Sequence, residues 1–148
     1  MVKILFKERK GFTLIELLVV VAIIGLLSSL AAVVAARYRD YAKDAKVMTN
    51  LSQIRIIASM INNEDDSYAG LCDAGNLKKS HPRYGEALTT LEDDIKKMNN
   101  GTSPVCFATD TVYCVQSSLV RTGYLCLDSN GYLGKEANCD SGHERCKE

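Results

Sequence analysis

The distribution of apolar and charged positions divides the first 61 residues into two helical segments. Residues 17–36 carry no charge, and 20 residues of helix span about 30 Å, the thickness of the hydrocarbon core of a membrane. This stretch therefore predicts a transmembrane helix. Farther along, apolar residues recur every three or four positions, which is typical of an amphipathic helix. They are Val47, Leu51, Ile54, Ala58 and Ile61.

The two segments predict one long helix, because no proline separates them. Residues 12–36 form its transmembrane part, and residues 37–62 form its amphipathic continuation. Gly25 is a candidate site of helix flexibility, since a glycine in a helix costs about 1 kcal/mol relative to alanine. A small residue that a transmembrane helix tolerates is the alternative interpretation of Gly25.

The polar remainder, residues 63–148, predicts a small globular head. Pro82 opens a second helical pattern that closes at residues 99–101, with Leu88, Leu91, Ile95 and Met98 at helical spacing. Three strand-like runs follow and indicate an antiparallel meander. They cover residues 105–108, 111–117 and 124–127. The predicted fold class is therefore α+β, with a long helix packed against a small antiparallel sheet.

All six cysteines lie in the predicted head, which suits an oxidising environment in which disulfides persist. They are Cys72, Cys106, Cys114, Cys126, Cys139 and Cys146. Six cysteines allow 15 pairings, so spacing leaves the connectivity open. A hairpin centred near Val120 favours a bridge between Cys114 and Cys126, whereas a turn centred on Asp110 favours Cys106 with Cys114. Cys139 and Cys146 have two further options, pairing with each other or reaching back to Cys72 and Cys106.

The charge of the N-terminal residues predicts the orientation in the membrane. Residues 1–11 carry four cations and one carboxylate, although the whole chain has a net charge of zero. Cations that flank a transmembrane segment stay on the cytoplasmic side, so the N-terminus is expected inside and the head outside. A secretory signal peptide cleaved after Ala35 or Ala36 is an alternative, but no loop separates that point from the next helical pattern.

Few residues suggest chemistry in the head. Asp128 and Asn130 begin a weak calcium-loop pattern, but a tight turn is favoured because the closing glutamate is missing. Zinc at Cys139, His143 and Cys146 is disfavoured relative to disulfides. We expect no cofactor and no enzymatic activity. We also expect no nucleic-acid partner beyond a local basic patch around Lys78 and Lys79.

The segment KGFTLIELLVVVAIIGLL, residues 10–27, resembles the N-terminus of bacterial type IV pilins and of the pseudopilins of type II secretion. The resemblance implies that a prepilin peptidase cuts after Gly11 and that the new amino terminus, Phe12, is methylated. It also implies a pilin-like fold in which disulfides pin the C-terminal tail to the head. Many relatives have a proline near the position of Val33, which this chain lacks.

Glu16 is a lone carboxylate at the cytoplasmic end of the apolar segment, where ionisable groups usually have a partner. Cleavage after Gly11 exposes an α-amine that is mostly protonated at neutral pH. The resemblance implies that the Glu16 carboxylate meets the Phe12 ammonium of a neighbouring subunit, and opposite charges attract strongly in a low-dielectric medium. A carboxylate that merely reaches the headgroups is the alternative.

These features indicate a structural subunit of a type IV pilus. The precursor is expected in the cytoplasmic membrane, where it would meet the peptidase and a membrane assembly platform. The processed subunit is expected in an extracellular homopolymeric filament. Two alternatives stay open, a pseudopilin of a type II secretion system and a membrane-anchored monomeric binding module.

Overall fold

A computed structural model describes residues 11–121, 123–135, 138–140 and 143–147. It contains two helices and eight strands in the described ranges. They are α1 (Leu14–Asp65), β1 (Cys72–Asp73), β2 (Asn76–Leu77), α2 (Gly85–Met98), β3 (Val105–Ala108), β4 (Tyr113–Ser118), β5 (Tyr124–Asp128), β6 (Leu133–Lys135), β7 (Asn138–Asp140) and β8 (His143–Lys147). The chain divides into two compact units, Met1–Tyr38 and Arg39–Glu148.

The first unit consists of the apolar part of α1, preceded by residues 11–13. Every described side chain from residue 11 to residue 38 is exposed. In the part of the chain that the structure describes, α1 is long and apolar enough to cross a membrane, and its most apolar window is not buried at all. A core helix of a soluble protein would be buried, so this segment needs a covering that the other described residues do not provide.

The second unit is an α+β head, as the sequence predicts. All five predicted apolar positions of the amphipathic segment are buried, because they share one face of α1 and pack against the sheet and α2. Leu88, Leu91 and Ile95 of α2 enter the same core. Helix α2 begins at Gly85, three residues after Pro82, and ends at Met98, and the chain then turns at Gly101, which adopts a φ of 87°.

The three predicted strands form an antiparallel meander, and β6 extends it to the order β3-β4-β5-β6. One face of this sheet packs on α1 through Val115, Leu125 and Leu127. The opposite face carries Cys114 and Cys126, and the hairpin of β7 and β8 covers it. The prediction missed this hairpin and the small one of β1 and β2, because β1, β2 and β7 have only two or three residues and the five residues of β8 show no apolar alternation.

Three disulfides join the strands, and the expected Cys114–Cys126 bridge is wrong. The bridges are Cys72–Cys106, Cys114–Cys139 and Cys126–Cys146. The register pairs Cys114 with Asp128 and Cys126 with Gln116. The hairpin is thus centred on Arg121, one residue beyond the predicted centre, and this displaces each cross-strand partner by two residues.

The other proposed pairings are also wrong. In the preceding hairpin, Cys106 lies opposite Val115, and Cys114 lies opposite Phe107. Cys139 and Cys146 bridge neither each other nor Cys72 and Cys106, but reach back to β4 and β5. The tail is pinned to the sheet, and its two cysteines are in disulfides rather than free to bind zinc.

Asn50 is a polar residue in the otherwise apolar buried face of α1. Its side chain is 0% exposed, and neither its amide nitrogen nor its oxygen has a hydrogen-bond partner among the described residues. A buried amide without partners costs roughly 1–3 kcal/mol. We expect Asn50→Leu, which has the same branching, to raise the free energy of unfolding by about 1 kcal/mol, measured by urea denaturation in detergent.

Asn99→Leu is the matched comparison for this prediction. Asn99 is also buried, but its Nδ2 donates to the Ser117 hydroxyl at 3.2 Å and to the Ser118 hydroxyl at 3.3 Å. We expect this variant to lower the free energy of unfolding by about 1 kcal/mol. Equal destabilisation by both substitutions would contradict the unsatisfied state of Asn50.

Glu92 of α2 is a buried carboxylate that pairs with two lysines. Its Oε1 lies 3.0 Å from Lys79 Nζ and 2.6 Å from Lys96 Nζ. Burial raises the pKa of this carboxyl, but the hydrogen bonds and charges of Lys96 and Lys79 outweigh burial and hold the pKa below its ordinary value. The two ion pairs therefore stabilise the folded head above the ordinary carboxyl pKa of about 4.3.

We expect Glu92→Gln to lower the free energy of unfolding by about 1 kcal/mol at pH 7. The expected loss is small because both lysines are partly exposed, and solvent weakens their attraction to Glu92. Because the folded-state pKa is lowered, this difference should shrink as the pH falls through that pKa and vanish below it. Unfolding curves of both proteins between pH 7 and about pH 3 test this. Asp94→Asn, which breaks an exposed pair with Lys97, is the control and should change little.

Candidate processing and assembly site

The predicted processing residues lie immediately before α1. Gly11 and Phe12 precede the first helical residue, Leu14, and the Phe12 side chain is 77% exposed. Residues 1–10 of the predicted leader lie outside the described residues. A peptide bond in an exposed, non-helical segment next to a helix is accessible to a protease, so the geometry is compatible with cleavage after Gly11.

Glu16 forms a reciprocal cap with Thr13 at the start of α1. The Glu16 carboxylate oxygen Oε2 accepts from the Thr13 backbone N–H at 2.9 Å and from the Thr13 hydroxyl at 2.8 Å. The Thr13 hydroxyl oxygen in turn accepts from the Glu16 N–H at 3.3 Å. This arrangement is a capping box, which satisfies two N–H groups that a helix start leaves unpaired.

The capping box identifies Thr13 as a residue that the prediction missed. The signal was present in the sequence as the spacing T-x-x-E, which identifies a helix start. Among the described residues, the second carboxylate oxygen of Glu16, Oε1, accepts no hydrogen bond. The carboxylate can therefore cap its own helix through one oxygen and receive a second donor at the other.

Gly25 lies within the exposed part of α1, which continues through it without a break. A Cβ atom added at Gly25 would meet nothing within 4 Å. Packing inside one copy of the chain therefore does not explain why this position is a glycine. Its predicted role in helix flexibility or close helix approach stays a prediction.

The calcium candidates Asp128 and Asn130 form a turn between β5 and β6. Oδ1 of Asp128 accepts from the backbone N–H of Asn130 at 2.9 Å and of Tyr132 at 3.1 Å. Oδ2 accepts from the backbone N–H of Cys146 at 3.2 Å. Both oxygens are thus used by backbone amides, and they join the turn to the C-terminal hairpin. No group of three or more metal-ligating side chains occurs within the described residues.

The turn between β5 and β6 also fixes the position of α1. The guanidinium Nη2 of Arg55 donates to the carbonyl oxygens of Gly131 at 3.1 Å and Tyr132 at 2.8 Å. Burial raises the pKa of the adjacent Tyr113 hydroxyl to about 12, so this phenol stays neutral across the physiological range. Arg55 and Tyr113 therefore act in the structure of the head.

The local basic patch around Lys78 and Lys79 includes two ion pairs. Lys79 pairs with Glu92, and Arg83 forms an ion pair with Glu64 at the end of α1. The Tyr84 hydroxyl donates to the same Glu64 carboxylate at 2.7 Å. The contacts with Glu64 join α1 to the turn before α2, and the expectation of no nucleic-acid partner stays a prediction.

Comparison with known proteins gives one family model and several curated relatives. Residues 6–32 match the family model of the prokaryotic N-terminal methylation motif. The chain is 30% identical over 117 residues, 78% of its length, to the type IV major pilin protein PilA of Myxococcus xanthus (strain DK1622), and this match covers 52% of that relative.

Two further relatives are fimbrial proteins. A fimbrial protein of Pseudomonas aeruginosa is 48% identical over 48 residues, which cover 32% of this chain and 29% of that protein. Fimbrial protein Q of Moraxella bovis is 30% identical over 93 residues, which cover 63% of this chain and 50% of that protein. The chain thus spans about half the length, or less, of these curated relatives. No solved structure matches the chain.

Proposed function

Because this chain belongs to the type IV pilin family, we propose that it is a structural, non-enzymatic subunit of a type IV pilus. In this proposal residues 1–11 are a leader, which a prepilin peptidase removes after Gly11. Residues 12–36 anchor the precursor in the cytoplasmic membrane and later form the filament core. Residues 37–62 continue the helix into the head, residues 63–148, which faces the exterior.

The observation that carries this proposal is the exposure of the apolar segment. From Phe12 to Val34, its large apolar side chains are between 44% and 78% exposed. A patch of this size is far above what a soluble monomer leaves uncovered. A bilayer can cover it before assembly, and the same segments of neighbouring copies can cover it in a filament.

The capping box supports a specific role for Glu16 in assembly. With Oε2 bound to Thr13, the free Oε1 is available to the Phe12 ammonium of a second copy. That contact would pair two charges that each subunit alone would leave partly unpaired in a low-dielectric medium. It would also fix the axial stagger between two neighbouring helices.

The position of Gly25 is consistent with contact between copies. A glycine lets two helix backbones approach closely, and its open surroundings leave room for a neighbouring helix. We propose that Gly25 lies at a helix crossing or loosens α1 in the filament. Neither role of Gly25 requires a change in the structure of the head.

Mass spectrometry of a sheared extracellular fraction tests the proposed function. We expect abundant chains that begin at a methylated Phe12 and form fibres in negative-stain electron microscopy. A secretion pseudopilin would be processed but would stay with the cells. Chains that keep residues 1–11, or that occur only as membrane-bound monomers, would overturn the proposal in favour of an anchored module.

A further inference from the structure

We propose that the head carries a binding site for the headgroup of an anionic phospholipid, built around Arg121 and Tyr41. The site would hold the head against the outer surface of the membrane before assembly. This inference rests on the membrane-anchored precursor of the proposed function, but it needs no filament. Its residues all belong to the unit Arg39–Glu148.

The site is a cavity of about 200 Å³ between α1 and one end of the sheet. Its floor is apolar and includes Met48 of α1 and Leu125 of β5, whereas Arg121 and Lys135 bring two cations to its lining. The Arg121 guanidinium stacks on the Tyr41 ring, with its central carbon 3.7 Å from the ring centroid. A cation–π contact orients a guanidinium and leaves its N–H groups available for an anion.

The loop that carries Arg121 is anchored to α1. Val120 is the residue directly before Arg121, and its backbone N–H donates to Asp44 Oδ1 at 2.7 Å. A charge-assisted hydrogen bond of this kind fixes the loop more firmly than a neutral one. Since Asp44 also lines the cavity, its carboxylate offsets one of the two cations and leaves the lining with a net charge of +1.

The short distance in sequence between Tyr41 and the end of the uncharged run favours a cavity at the level of lipid headgroups. Tyr41 stands five residues after Ala36, where the uncharged run ends. Five residues of α1 rise about 7.5 Å, and each headgroup layer of a bilayer is roughly 5–8 Å thick. Tyrosine is enriched at this level because its ring is apolar and its hydroxyl is polar.

The charges of α1 near this level favour an anionic lipid. Apart from Asp44, which is already counted in the lining, residues 37–46 carry four cations and one carboxylate, which adds a net charge of +3 beside the cavity. Lysine and arginine are usually enriched on the cytoplasmic side of a transmembrane helix. Residues 37–46 follow the apolar run on its expected exterior side, so that enrichment does not explain their cations. Phosphatidylglycerol would provide a phosphate for Arg121 and Lys135 and the first methylene groups of an acyl chain for the Met48 side of the cavity.

The absence of tryptophan from the chain allows a single fluorescent reporter. Tyr41→Trp keeps an aromatic ring under Arg121, and the full chain can be placed as a monomer in nanodiscs. We expect the emission of this protein to change as phosphatidylglycerol replaces phosphatidylcholine in the disc. Arg121→Gln in the same background should raise the half-saturating lipid fraction about fivefold, and Lys135→Gln added to it should abolish the response.

Arg83→Gln is the matched control, because it removes one surface cation whose partner is Glu64 and which does not line the cavity. We expect it to leave the lipid response unchanged. An equal loss with Arg83→Gln, or an undiminished response with Arg121→Gln, would overturn the site. A response to inorganic phosphate in phosphatidylcholine discs would show that the site binds free phosphate, and a response that requires two copies in a disc would show that it binds a second chain. Either result would also overturn the lipid site.

Failure of this site can be told apart from failure of the proposed function. The fluorescence response is measured on monomers, whereas the pilus assignment depends on processing and on fibres. Fibres that begin at Phe12 without any lipid response would remove the site and keep the function. A lipid response from chains that never form fibres would keep the site and remove the pilus function.

Discussion

Replacement of Glu16 by leucine is expected to abolish filaments while the protein stays in the membrane. The substitution removes the only carboxylate among residues 12–36 and makes the segment more apolar, so insertion is not impaired. Two opposite charges 4 Å apart attract by about 4 kcal/mol at an effective dielectric constant of about 20. Loss of that contact would weaken each subunit addition roughly 1,000-fold. Quantities of sheared and membrane-bound protein, compared by immunoblot, measure the effect.

The capping box provides a sharper comparison between Glu16→Gln and Glu16→Leu. Glutamine can accept from the Thr13 N–H in the same position, since Gln and Glu both complete a capping box, but it carries no charge. If assembly depends on pairing with the Phe12 ammonium, both variants should lack filaments. Wild-type quantities of filament with Glu16→Gln would instead show that the cap, and not the charge, is what assembly requires.

Thr13 offers the complementary pair of variants. Thr13→Val keeps the shape but removes the hydroxyl that binds Glu16 at 2.8 Å, whereas Thr13→Ser keeps the hydroxyl. We expect Thr13→Val to reduce filament quantity only modestly and Thr13→Ser to leave it unchanged. Complete loss of filaments with Thr13→Val and normal filaments with Glu16→Gln would together contradict the charge-pairing role.

Removal of both bridges to the C-terminal hairpin is expected to uncover the second face of the sheet. The bridges Cys114–Cys139 and Cys126–Cys146 close loops with sequence separations of 25 and 20 residues, and each should contribute about 3 kcal/mol. A two-stranded hairpin is not stable alone, so strands β7 and β8 would detach. The fourfold Cys→Ser variant should lose about 6 kcal/mol, comparable to the whole stability of a small domain.

Urea denaturation and limited trypsin digestion of the full chain in detergent measure this effect. We expect rapid cleavage after Lys135, which lies at the end of β6 just before the hairpin. The control variant replaces Cys72 and Cys106, whose bridge joins the small hairpin of β1 and β2 to β3. That variant should lose about 3–4 kcal/mol but keep the tail protected. A protected tail in the fourfold variant would contradict the proposed anchoring.

The long helix and the meander could be predicted because their patterns are long. The apolar run and the repeat from Val47 to Ile61 each extend over several turns, and three strands have four to six residues. The C-terminal hairpin could not be predicted in the same way, because β7 has only three residues and the sequence of β8, HERCK, does not alternate between apolar and polar residues. Its position depends on disulfides and on backbone donors to Gln116 and Asp128, which are long-range contacts.

The candidate site was only partly predictable from the sequence. The motif places Gly11, Phe12 and Glu16 at the start of the helix, and their roles in processing and assembly stay predictions. The T-x-x-E spacing could have revealed the cap, since it depends on local geometry alone. The contact of Arg121 with Tyr41 could not, because it joins residues that are distant in the chain and depends on the exact hairpin register.

The order of the bridged cysteines has a consequence for biogenesis. In chain order, the third cysteine joins the fifth and the fourth joins the sixth, so these two bridges interlock. If oxidation proceeded pairwise as each thiol left the translocation channel, Cys114 would meet Cys126 first and close the wrong ring. On that route, correct maturation would require thiol–disulfide exchange through a mixed disulfide, and a cell that lacks an isomerase would accumulate a mispaired precursor.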